Sequence, residues 1–141
     1  MSLDFNGKVA IVTGSGGGIG KGYALELAKR GAKIVVNDLG GAVDGTGGSV
    51  SAAEAVVQEI ESNGGEAIAN GANVSVQSEV KSMVEDAVKK WGKVDILINN
   101  AGILRDKSFG KMEWSDFEAV INVHLIGSAL CAHSVFPVMN E

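Results

Sequence analysis

The chain has 141 residues, with 12 Lys plus Arg against 17 Asp plus Glu and a net charge of −5. That length favours one domain, and 45% hydrophobic with 21% charged content argues against disorder. Lys and Arg form no cluster, so the basic footprint of a nucleic-acid binder is absent. A single cysteine excludes an internal disulfide and a cysteine-rich zinc site, and no metal is expected. Glycine is the outlier: 20 of 141 residues, about twice the usual share of ~7%. There is no G-X-Y period, so the glycines answer to local backbone needs. The first residues lack the charged-then-apolar pattern of a secretory signal. No apolar run approaches the ~18 residues of a membrane span, so no membrane association is expected. The composition reads as a reduced, soluble, intracellular protein.

The hydrophobic pattern changes period along the chain. Residues 8–13 (KVAIVT) are a short β-branched run that suits a strand buried on both faces. Glycines follow, then a helix over 19–30, in which Ile19, Tyr23 and Leu27 recur beside Ala24 and Ala28, with Gly31 as its stop. A second strand covers 33–38, and a glycine-rich loop covers 39–48. A helix over 49–63 presents Ala52, Val56 and Ile60 and closes at Gly64 and Gly65. A weak strand at 66–70 precedes a helix at 76–91, with Val80, Val84 and Val88 in register. A fourth buried strand spans 94–99, and one long helical pattern runs from 114 to 139. Strands alternating with helices imply βαβ units and a parallel sheet within one domain.

The first strand runs straight into Thr13-Gly14-Ser15-Gly16-Gly17-Gly18-Ile19-Gly20. A phosphate reaches a helix N-terminus only where the backbone approaches closely with its N–H groups outward, and glycine permits both. Asp38 ends the second strand, 18 residues after Gly20. A carboxylate there can accept hydrogen bonds from both ribose hydroxyls of NAD and repel a 2′-phosphate. No Arg closely follows Asp38, which favours NAD over NADP.

The spacing Thr-Gly-x-x-x-Gly-x-Gly at Thr13–Gly20, with Asn99-Asn100-Ala101-Gly102 after the fourth strand, resembles the short-chain dehydrogenase/reductase family. The resemblance implies a Rossmann-type doubly wound parallel sheet, here incomplete, with four strands in the order 3-2-1-4. It implies that Asn99 braces the central strands and that Asn100, Ala101 and Gly102 line the nicotinamide ribose. Asn73 and Val74 stand where most members carry Asp-Val beside the adenine, so an altered adenine contact is expected. Asn122, in the segment NVHLIG, matches the family's Asn that holds a proton-relay water, and it is the one catalytic residue carried over. The stretches 37–41, 52–60 and 100–109 narrow the likeness to the (3R)-hydroxyacyl-CoA dehydrogenases of peroxisomal β-oxidation. The resemblance thus implies NAD as cofactor, 3-hydroxyacyl-CoA as substrate, and a cytoplasmic or peroxisomal place.

The family's chemistry also needs a Ser, a Tyr and a Lys four residues after the Tyr. The only tyrosine, Tyr23, lies in the first helix with Leu27 four residues on, so it is not the catalytic one. The segment carrying those groups is expected to lie outside residues 1–141. The fourth strand would then be an apolar edge, completed by oligomerisation or by another polypeptide. A non-catalytic NAD-binding or interaction module, and a dehydrogenase of a sterol or other secondary alcohol, remain the alternatives. Cys131 reads as inert core. His124 and His133 lack a carboxylate at ligand spacing, and His124 reads as a packing or hydrogen-bonding residue. Arg105 and Lys107 are either a contact to a CoA phosphate or solvated loop charges. Trp91 and Trp114 read as helix-end packing residues.

Overall fold

A computed structural model describes residues 3–41 and 50–140. Four parallel strands form one sheet in the order β3-β2-β1-β4. They are β1 (Val9–Val12), β2 (Lys33–Asn37), β3 (Glu66–Asn70) and β4 (Ile96–Ile98). The helices between them are α1 (Gly18–Lys29), α2 (Ser51–Ser62) and α3 (Gln77–Trp91). After β4 come a 3₁₀ turn (Phe109–Lys111), α4 (Trp114–Ile121), a π-helical turn (Asn122–Ile126) and α5 (Gly127–Met139). Of the glycine-rich loop expected at 39–48, residues 42–48 lie outside the described residues.

Side chains of a strand point alternately to opposite faces, so a strand that is apolar at every position must be covered twice. Val9 and Ile11 of β1 join Val35 in a core with Val80, Met83, Val84 and Ala87 of α3 and with Cys131 and Val135 of α5. Ala10 and Val12 join Ile34 and Val36 in a second core with Ala24 and Ala28 of α1 and with Ala53, Val56 and Ile60 of α2. The result is three layers with helices on both faces of the sheet. Ile11, Ile34 and Ile60 are at most 1% exposed, and burying each stabilises the fold by roughly 1.5–3 kcal/mol.

Three expectations are corrected. On α1 the buried row is Gly20, Ala24 and Ala28, while Ile19 is 72% and Tyr23 46% exposed. Small residues face the sheet because the helix lies too close to the glycine turn for large ones. The single helix expected over 114–139 is interrupted by the π-helical turn. The stretch Trp114–Met139 contains an 18-residue window with a mean hydropathy of 1.6 and is long and apolar enough to cross a membrane, contrary to the expectation from uninterrupted apolar runs. In this fold α5 instead turns Gly127, Cys131 and Val135 inward and packs against α3. Trp114, 63% exposed, opens α4 and stacks on Phe117 within that helix end. Trp91 does pack on the core, and its indole N–H donates to Glu66 Oε2.

β4 pairs with β1 along one edge, Ala10 to Ile96 through Val12 to Ile98. It ends the strand order, as expected, and its three residues are only half-buried.

Candidate functional site

The strand order reverses between β1 and β4, and the C-terminal ends of these strands, with that of β2, enclose a crevice. β1 passes through Thr13 into Gly14, whose φ of +64° no side-chain-bearing residue adopts cheaply. Ser15 is fully buried and donates its hydroxyl to Val12 O at 2.7 Å. Gly17 then caps α1 with no side-chain hydrogen bond, and the first turn holds no acid. The N–H groups at that helix end therefore have no side-chain acceptor and no competing charge, the arrangement that attracts an anion.

Gly20 lets α1 sit directly on the turn. A Cβ there would fall on Gly14 O and Asn100 Nδ2. The two central strand ends are clasped at this point. Thr13 Oγ1 accepts the N–H groups of Asn100 and Ala101, each at 3.0 Å. Asn100 Nδ2 donates to Thr13 O at 3.1 Å and to Gly14 O at 3.0 Å. The brace assigned to Asn99 is thus supplied by Asn100. Asn99 instead donates to Ser128 O at 3.2 Å, tying the strand end to α5. Neighbouring residues leaving a strand point to opposite faces, so only one of the pair can reach β1.

Asp38 follows β2 and faces the turn. Its Oδ2 accepts the Gly16 N–H at 2.8 Å, and its Oδ1 accepts the Gly40 N–H at 2.7 Å. Each carboxylate oxygen keeps spare acceptor capacity. Asn73 folds on itself, its Oδ1 accepting the Ser75 N–H at 3.0 Å and the Ser75 hydroxyl at 2.6 Å. Val74 is buried against Gly127, where a Cβ would meet Val74 Cγ2 at 2.7 Å.

These groups surround a cavity of about 490 Å³. Of the residues singled out from the sequence, Gly14, Asp38, Asn73, Val74, Asn100, Ala101, Gly102 and Asn122 line it. Ser15, Gly16, Gly17, Gly18, Ile19 and Gly20 do not: Ser15 and Gly20 lie buried beneath the turn, and Gly17, Gly18 and Ile19 are exposed on its rim. Arg105 also lines the cavity. It pairs with Asp116 at 3.4 Å, and Lys107 pairs with the same carboxylate at 3.5 Å. Both cations are therefore paired with α4, where the sequence had offered only a contact to a CoA phosphate or solvated loop charges.

Cys131 is 1% exposed, and burial pushes its thiol up to about 11. That keeps it protonated and unreactive. Among the described residues no group of three or more His, Cys, Asp and Glu side chains could hold a metal ion.

A glycine turn at a bare helix end, an acid at the end of the next strand and a crevice at the switch point define a Rossmann-type nucleotide site. The short chain dehydrogenase family model matches residues 8–141, and the chain belongs to that family. It is 53% identical over 141 residues to the peroxisomal multifunctional enzyme A of Dictyostelium discoideum, covering all of this chain and 31% of that protein. It is 49% identical over 140 residues to the peroxisomal hydratase-dehydrogenase-epimerase of Saccharomyces cerevisiae, covering 99% of this chain and 15% of that one. The chain thus spans less than a third of these relatives. Among solved structures, a short chain dehydrogenase from Mycobacterium avium superposes with a TM-score of 0.87 at 43% identity, over 96% of this chain and 47% of that one. A 7α-hydroxysteroid dehydrogenase, solved with NADH and 7-oxo glycochenodeoxycholic acid, superposes with a TM-score of 0.86 at 36% identity, over 96% and 49% of the two chains.

Proposed function

We propose that this chain is the dinucleotide-holding part of an NAD-linked (3R)-3-hydroxyacyl-CoA dehydrogenase of fatty-acid β-oxidation. The observation that carries the reading is Asp38. Its carboxylate stands at the end of β2, anchored by the Gly16 and Gly40 N–H groups, where it can accept a pair of ribose hydroxyls and repel a 2′-phosphate.

The residues present fit such a cofactor. The turn at Gly14 is closed by Ala101, whose Cα would lie 2.8 Å from a Cβ at Gly14, so the backbone comes close only because no side chain is there. The bare N-terminus of α1 suits the pyrophosphate. Asn73, Val74, Asn100, Ala101 and Gly102 line the cavity, and the family resemblance assigns the first two to the adenine side and the other three to the nicotinamide ribose. Asn73 spends its carbonyl oxygen on Ser75, which leaves its amide N–H groups as the donors toward an adenine. Asn122 opens the π-helical turn on the wall of the cavity, where its amide can hold a water.

Bound NAD supplies the hydride acceptor at C4 of the nicotinamide. The residues of this chain bind and orient it. The general base that takes the alcohol proton belongs to a Tyr-x-x-x-Lys that residues 1–141 do not contain: Tyr23, the only tyrosine, is on the outer side of α1. The chain alone is therefore catalytically incomplete and acts with further polypeptide, as part of a longer chain or an oligomer. The acyl-CoA substrate rests on the resemblance at 37–41, 52–60 and 100–109, and the two relatives, a peroxisomal multifunctional enzyme and a peroxisomal hydratase-dehydrogenase-epimerase, favour a dehydrogenase in a peroxisomal place. The likeness to a hydroxysteroid dehydrogenase favours a sterol-type secondary alcohol as the second reading.

Calorimetric titration of the full-length protein with NAD and NADP tests the cofactor. NAD is expected to bind more tightly, and Asp38→Ala is expected to weaken NAD and narrow its preference over NADP. An unchanged preference refutes the role of Asp38. Turnover of a 3-hydroxyacyl-CoA against a hydroxysteroid decides the substrate, and preference for the steroid overturns the acyl-CoA reading.

A further inference from the structure

His124 lies within the π-helical turn, two residues after Asn122. Its ring reaches back to the loop that follows β4. Nε2 stands 3.0 Å from Ile103 N and 3.0 Å from Ile103 O. The ring also occupies the space where residue 102 would carry a side chain: a Cβ at Gly102 would meet His124 Cε1 at 2.6 Å and Nε2 at 3.0 Å. Gly102 has no positive φ, so its lack of a side chain is a matter of room for the imidazole and not of backbone strain. Asn100 to Ile103 form one wall of the cavity, and Asn122 and Val123 form part of another. His124 is not itself in the lining; it joins the two walls from behind.

The π-helical turn makes this possible. One extra residue in a turn rotates all that follows by about 100° relative to a regular helix. Asn122 and Val123 can therefore face the cavity while His124, next in sequence, addresses Ile103. Imidazole suits a contact made to both groups of one peptide residue. With Nε2 bare it accepts the Ile103 N–H; with Nε2 protonated it donates to Ile103 O. The link therefore survives either tautomer and the protonated ring.

We propose that His124 is a positioning residue that holds the Gly102–Ile103 turn against the π-helical turn, fixing the nicotinamide-side wall relative to Asn122. This rests on the dinucleotide reading of the crevice. Its reach should be local: the adenosine side, built by Asp38, Asn73 and Val74, is formed by other elements.

The test uses the full-length protein and two nucleotides. NAD occupies both halves of the crevice, and AMP only the adenosine half. His124→Phe keeps a ring and removes the hydrogen bond; it is expected to weaken NAD about fivefold, the equivalent of one hydrogen bond, and to leave AMP unchanged. His124→Gln, whose amide both donates and accepts, is expected to restore most of the NAD affinity. Gly102→Ala, which displaces the ring, is expected to reproduce the His124→Phe pattern. NAD binding at the wild-type level in His124→Phe, or equal weakening of NAD and AMP, overturns the proposal. Hydrogen exchange at the Ile103 amide, followed by NMR without nucleotide, separates this proposal from the cofactor reading. Faster exchange in His124→Phe and in Gly102→Ala supports the pin, and unchanged exchange overturns it. If the wild-type protein binds neither nucleotide, the dinucleotide reading fails while the exchange result still stands.

Discussion

Gly20 and Gly22 lie two residues apart on α1, and replacing each by alanine should move stability in opposite directions. Gly22 is exposed, and a Cβ there meets nothing within 4 Å. Alanine at that position should stabilise the helix by about 0.5–1 kcal/mol, through helix propensity and a less flexible unfolded chain. Gly20 is buried, and a Cβ there lands on Gly14 O and Asn100 Nδ2 and lies 3.0 Å from Gly14 C. The backbone oxygen cannot swing aside, so α1 must lift off the turn or Asn100 must leave it. Overpacking costs about 1–3 kcal/mol. Displacing Asn100 costs a further ~1 kcal/mol for each of its hydrogen bonds to Thr13 O and Gly14 O. Against the same propensity gain, Gly20→Ala should destabilise by roughly 2–4 kcal/mol net. Urea denaturation followed by circular dichroism reads both variants, and the gap between their midpoints is the quantity of interest. Two variants of equal stability, or a Gly20→Ala chain as stable as the wild type, would refute the close-approach account of the turn.

Removing the Asn100 amide by Asn100→Ala should cost about 2 kcal/mol, two part-buried hydrogen bonds; Asn100→Asp should be worse, since it sets a carboxylate against two carbonyl oxygens, and denaturation at pH 7 ranks them. Asp95 accepts the Val9 N–H at 2.9 Å and pairs with Lys93 at 3.2 Å. Partial burial pushes its carboxyl up, but the Val9 N–H, the Lys93 ammonium and the charge of Lys8 together hold it below 3.8. A lowered carboxyl stabilises the fold above 3.8 and loses that contribution as the pH falls through the folded-state value. The stability difference between wild type and Asp95→Asn should therefore be constant at neutral pH and shrink only on acidification below 3.8; a difference that shrinks between pH 8 and 5 counts against it. Cys131, its thiol pushed up to about 11 by burial, should resist iodoacetamide at pH 8 and react promptly in urea, which mass spectrometry reads directly.

The sheet was legible because β1 and β2 are β-branched runs bounded by glycine or a polar residue, while β3, with one β-branched residue, was legible only weakly. The limits of β3 follow from the turn at Gly64 and Gly65 and from Gly71 directly after Asn70. The acid at the end of β2 and the glycine turn were equally legible, since a crevice at a strand end needs those residue types at that spacing. The π-helical turn was not: over five residues its hydrophobic period cannot be told from that of an α-helix. Nor could spacing decide between Asn99 and Asn100, because the choice turns on where β4 ends, a matter of one residue. On α1 the large residues Ile19 and Tyr23 form as good a row as Ala24 and Ala28. What selects the small row is the close approach of helix and turn, which is long-range information. The ties of Arg105 and Lys107 to Asp116 are side-chain geometry alone.

The clasp of Thr13 and Asn100 joins positions 87 residues apart. On a ribosome the chain emerges N-terminus first. β1, α1 and β2 can meet early, but the wall formed by Asn100 to Ile103 cannot close on Gly14 until that late stretch has been made. The crevice is thus among the last features of these residues to take shape in synthesis, and the long loop that must be shut delays it further. A nucleotide held across both strand ends would bind only the finished arrangement and would bias a newly made chain toward keeping it.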